Sequence, residues 1–170
     1  MLGNIMKLSS GFNLGWPTVV WLDTFEVEDQ YIEEAMVGGV HASMIDIALD
    51  RFDTYLHEVV GTSINQYGHE TISWVNRYDS CGMEYHTHAG AQLSSVMYLE
   101  GKDGDIVFHD PRNFASRGYD MSFRHLFEPI IHTPKAGDIV IFPSFLYHTV
   151  RNPSTIRISC PVDLFLFNDD

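Results

Sequence analysis

From Gly61 onward the chain is a run of short extended stretches cut apart by proline, glycine and asparagine. Residues 71–78, 93–99, 105–108, 129–133, 138–142, 147–151 and 156–167 each read as a strand. Strands this short, punctuated by turn residues, bury their apolar faces as a sandwich or a barrel. Residues 93–99 and 105–108, joined by the turn Lys102-Asp103-Gly104, read as a hairpin. The first third has a different pattern. Residues 16–22 are apolar and suggest a first strand, and Glu26, Glu28 and Asp29 then open a helical pattern, as carboxylates do at a helix N-terminus. Gly38-Gly39 interrupts it, and it resumes through Met44, Ile45, Ile47, Ala48, Leu49, Phe52, Tyr55, Leu56 and Val59, which approximates an apolar stripe suited to packing on a sheet. The expectation is an α+β fold in a single domain over 1–170, with 1–70 as helical N-terminal support and 71–167 as a β-barrel core.

Charge and length exclude some functions. The 170 residues carry ten basic and 23 acidic side chains, a formal charge of −13, which argues against a nucleic-acid partner, since phosphate affinity comes from Lys and Arg. No apolar run approaches the ~20 residues of a membrane span, and the N-terminus lacks a signal-peptide pattern. A cytoplasmic protein with no membrane partner is expected. In that setting Cys81 and Cys160 are expected to be free thiols.

His86-Thr87-His88 carries the chemistry. Two histidines one residue apart on a strand point to one side of a sheet. His148, past the turn that follows 138–142, can close a facial three-imidazole site. Imidazole suits zinc, copper, iron and nickel, and open positions on such a face are where non-haem iron meets oxygen. The other histidines read as surface or hydrogen-bonded residues, with His109 ambiguous. Residues 110–127 lack periodicity and are long for a loop in a compact domain, so they read as a lid bearing Arg112, Phe114, Arg117, Tyr119 and Phe123.

These motifs resemble the Fe(II)/2-oxoglutarate-dependent oxygenases, enzymes of prolyl-hydroxylase type built on a double-stranded β-helix. Trp74-Val75-Asn76-Arg77-Tyr78, Gly82 and Tyr85-His86-Thr87-His88 look like the segment leading into that superfamily's His-x-Asp. Gly137-Asp138-Ile139-Val140-Ile141-Phe142-Pro143 with His148 resembles its distal histidine strand, and Arg157-Ile158-Ser159 its Arg-x-Ser. The likeness covers 71–167 and is near a small branch found in marine bacteria and their phages.

The resemblance implies a jelly-roll, cupin-like barrel with N-terminal helices packed on the sheet, and an oxidoreductase using Fe(II) and 2-oxoglutarate. It implies hydroxylation of a small-molecule or peptidyl substrate with release of succinate and CO2. His86, His88 and His148 would ligate the metal, and Arg157, Ser159 and Tyr98 would hold the co-substrate carboxylate. Relatives often dimerise, so a homodimer fits.

His88 departs from the family, which has a carboxylate there; Glu84 shares its strand parity, and Gln92 lies four residues on. A cupin dioxygenase or isomerase that does not use 2-oxoglutarate is the alternative, since Gly137, Pro143, His148 and Asn152 fit part of a cupin pattern. A metal-free β-barrel is the third.

Overall fold

The computed structural model describes residues 18–112 and 120–168. After a short strand β1 (Trp21–Thr24) come two helices, α1 (Asp29–Met36) and α2 (Ala42–Tyr55). Met44, Ala48, Phe52 and Tyr55 recur at helical spacing on α2 and are all buried. His41 caps α2, its Nδ1 accepting the Ser43 N–H at 3.2 Å. The helix ends in a π-helical turn (Leu56–Val60), closed by Gly61 in the left-handed region at φ +82°.

The strands that follow are β2 (Gly68–Ser73), β3 (Asn76–Tyr78), β4 (Met83–His86), β5 (Leu93–Glu100), β6 (Ile106–Phe108), β7 (Ile130–His132), β8 (Asp138–Pro143), β9 (His148–Val150) and β10 (Arg157–Phe167). They form two antiparallel sheets. One runs β1-β8-β5-β10-β2 with β3 also on β10, and the other runs β4-β9-β6-β7. Their inner faces meet through Val96, Tyr98, Val140 and Phe142 on one side and Ile106 and Phe108 on the other. This is the double-stranded β-helix, with the helices on the outside of the larger sheet. Among the described residues, no helix is long and apolar enough to cross a membrane.

Period two sorts the larger sheet into two chemistries. On β10, Ile158, Cys160, Val162 and Leu164 pack against the helical layer, as do Met97 on β5 and Ile139 and Ile141 on β8. The alternate residues Arg157, Ser159, Pro161 and Asp163 share the opposite parity, facing the barrel interior. Cys160 is therefore sealed in the core while Cys81 is exposed, and the two are unbridged.

Three expectations need correcting. The hairpin of 93–99 with 105–108 does not form: β5 pairs with β8 and β10, and β6 with β7 and β9. Residues 93–99 and 106–108 are buried throughout, so neither stretch shows the alternation that would assign its sheet. Gly101 (φ +140°) and Gly104 (φ +75°) let the chain cross between sheets instead of doubling back.

The single strand over 71–78 is split at Trp74-Val75. Register places Trp74 opposite Pro161; the Trp74 N–H reaches the Pro161 carbonyl at 3.2 Å, but proline has no N–H to return. The first strand also begins later than residues 16–22 suggest, at Trp21.

Candidate metal centre

His86 ends β4 and His148 begins β9, and antiparallel pairing sets them directly opposite. His88 lies just past β4, its N–H bonded to the Ser144 carbonyl at 3.0 Å. One ligand atom from each of His86, His88 and His148 lies within 4.8 Å of the others. The two strands and the Ser144 contact thus bring together the trio read from the sequence.

Hydrogen bonds fix which nitrogen each ring offers. His86 Nδ1 lies 2.7 Å from the Glu84 carbonyl, His148 Nδ1 2.9 Å from the Leu146 carbonyl, and His88 Nδ1 2.6 Å from Asp163 Oδ1. Each of these partners accepts, so each Nδ1 carries a proton, and in a neutral ring the lone pair then sits on Nε2. Burial pushes the His148 imidazole down to about 3, and burial lowers His86 as well. Both are neutral at physiological pH, the state a metal ligand needs.

The Glu84 side chain is exposed, and Gln92 is bonded to the main chain, accepting from the Leu166 N–H and donating to the Gly90 carbonyl. Asn152 accepts the Gly82 N–H at 2.8 Å, a structural contact.

A narrow cavity runs from the histidines to Arg157 and Ser159, walled by Val96, Ile106 and Val150. Arg157 is 1% exposed and has no carboxylate partner among the described residues. One guanidinium nitrogen donates to the Gly104 carbonyl at 2.6 Å and another meets the Tyr98 oxygen at 3.5 Å. Its Nε and the Ser159 hydroxyl are buried without any hydrogen bond. Burial pushes the Tyr98 phenol up to about 12 against the pull of Arg157, so its O–H stays available to donate.

Sequence reasoning assigned no role to Asp163, buried behind His88, or to Tyr78, whose ring lies under the Arg157 guanidinium at 5.6 Å. Parity with Arg157 along β10 was the available signal for Asp163. Of the expected lid, Phe114, Arg117 and Tyr119 and the side chain of Phe123 lie outside the described residues. Arg112 is described, paired with Asp110 and packed over Phe127 at 4.3 Å.

The model of a family described as "Putative 2OG-Fe(II) oxygenase" matches residues 72–163. The chain belongs to this oxygenase family. It is thereby an oxidoreductase, and Fe(II) and 2-oxoglutarate are the cofactors of its family. No curated protein matches by sequence.

Solved structures share the fold at low identity. A Pseudomonas putida prolyl-4-hydroxylase is 13% identical with a TM-score of 0.61, over 90% of this chain and 88% of that one. HygX from Streptomyces hygroscopicus, solved with nickel and 2-oxoglutarate bound, is 12% identical with a TM-score of 0.55, over 87% and 82%. A 2OG-Fe(II) family oxidoreductase from Burkholderia pseudomallei is 16% identical with a TM-score of 0.53, over 72% of this chain and 56% of its own length.

Proposed function

We propose that the protein is a dioxygenase in which His86, His88 and His148 hold Fe(II) and Arg157, Tyr98 and Ser159 bind the distal carboxylate of 2-oxoglutarate. The carrying observation is Arg157: a buried guanidinium with an unbonded Nε, beside an unbonded Ser159 hydroxyl, on the cavity that the three histidines line. A buried charge of this kind calls for an anion, and a planar guanidinium matches a carboxylate with paired hydrogen bonds. Three imidazoles on one face also suit a metal that keeps open positions.

When bound, iron(II) with 2-oxoglutarate would supply the oxidising chemistry with O2 as the oxidant, one oxygen atom ending in succinate as CO2 leaves and the other, in this reading, hydroxylating the substrate. The chain's residues do the positioning. Arg157 anchors one end of the co-substrate, with the Tyr98 O–H and Ser159 hydroxyl as further donors. The apolar walls keep water from the reacting centre.

A second cavity of about 430 Å³ opens beyond Phe108, whose ring packs on His148 with centroids 5.6 Å apart. His109, Asp110, Arg112 and Glu128 line it, which fits a polar small molecule or an exposed peptide side chain as substrate.

The test is anaerobic titration of metal-free protein with Fe(II) and then 2-oxoglutarate, following the visible charge-transfer band. Wild type should develop the band, and Arg157→Ala should need far more 2-oxoglutarate to reach it. Iron binding with no band, or a band indifferent to Arg157, would favour a cupin-type enzyme that does not use 2-oxoglutarate.

A further inference from the structure

His86 and His148 are held in a strand ladder, whereas His88 lies beyond the end of β4 and needs another support. Asp163 supplies one. Its Oδ1 accepts both the His88 Nδ1–H at 2.6 Å and the Ser94 hydroxyl at 2.6 Å. The Ser94 oxygen is in turn 2.7 Å from the Ser144 hydroxyl, and Ser144 is the residue whose carbonyl holds the His88 N–H. Since Ser94 gives its proton to Asp163, Ser144 must be the donor to Ser94. Ring and backbone of His88 are thus both tied to the larger sheet.

Asp163 is 7% exposed and, among the described residues, pairs with no Lys or Arg. Leaving a carboxylate in the interior with one imidazole and one hydroxyl as partners is costly unless positive charge is brought near it. A divalent ion held on the Nε2 atoms of three imidazoles, none of which can supply negative charge, would bring two positive charges that its ligands do not cancel. The carboxylate stands on the far nitrogen of one of those rings, where a hydrogen bond fixes ring orientation and raises ligand basicity.

We infer that Asp163 is a positioning residue of the metal centre: through the His88 Nδ1–H it aims Nε2 at the ion and lends a negative charge to a ligand set that has none of its own. The inference rests on the triad being a metal site.

The test measures anaerobic Co(II) binding to metal-free protein, recording the dissociation constant and the visible cobalt bands. Asp163→Asn keeps an acceptor for His88 but removes the charge and should weaken binding about tenfold; Asp163→Ala removes both and should weaken it about a hundredfold.

Imidazole ¹⁵N spectra of wild type give a readout independent of any variant's folding. They should show a proton on the His88 Nδ1. Cobalt bound equally by wild type and Asp163→Asn, with unchanged bands, overturns this inference alone, as does a His88 whose Nδ1 carries no proton. Wild-type protein that binds no cobalt overturns the metal-centre reading along with it.

Discussion

His86 and His148 are cross-strand partners on β4 and β9, their ring centroids 4.2 Å apart, and each gives its Nδ1–H to the carbonyl two residues earlier in the chain. The backbone that forms the strands therefore also sets the tautomer, and no added side chain is needed for these two rings.

Ligand binding at this face should stabilise the native state by mass action. A divalent ion at about 100 times its dissociation constant adds about 2.7 kcal/mol when it binds only the folded form. Anaerobic thermal melts with and without Co(II) should show that rise in wild type and lose it in His148→Ala. A shift that survived in the variant would place the ion elsewhere.

Arg157 should cost stability while serving binding. It is buried with an unbonded Nε and, among the described residues, no carboxylate partner, and apolar replacement of a poorly compensated buried charge is often neutral or stabilising by about 1–4 kcal/mol. Arg157→Met should thus unfold in urea at an equal or higher midpoint without co-substrate, yet lose 2-oxoglutarate binding. Marked destabilisation would mean that the bond to the Gly104 carbonyl is a main support of the fold.

The parts of the site legible in the sequence are those governed by period two. His86 and His88 share a side by parity, and Arg157 is marked by standing charged in the apolar β10 strand. Asp163 follows the same parity, but its partner is 75 residues away, and local spacing does not name a contact that only barrel closure makes. The β5–β6 crossover was hidden because strands buried on both faces lose alternation, the one local cue to sheet membership. The gap at Trp74-Val75 was hidden because its cause, Pro161, lies on another strand.

The two thiols should differ sharply in reactivity. Cys81 is exposed, while Cys160 is buried and its thiol is pushed up to about 12 by burial. Ellman's reagent should therefore titrate one thiol in native protein and two in guanidinium. The unfolded Cys160 releases its proton first as pH rises through about 9, so the native state binds more protons above that point and its stability falls toward pH 12. Two thiols reacting rapidly in native protein would contradict this packing.

Gly82 fixes how closely β4 approaches β9. A Cβ there would sit 1.9 Å from the Val150 carbonyl oxygen and 2.9 Å from its carbon, both backbone atoms that cannot swing aside. Met83 opposite Val150 is the first pair of that ladder, and His86 opposite His148 is the next. Gly82→Ala should destabilise the protein by about 1–3 kcal/mol, as overpacking does, and should also weaken cobalt binding by shifting His86. Gly38→Ala is the control: it lies after α1 at φ +88° with open space around it, so it carries only the left-handed backbone cost of about 1–2 kcal/mol. Equal cobalt affinity in the two variants would show that β4 can move without carrying His86 with it.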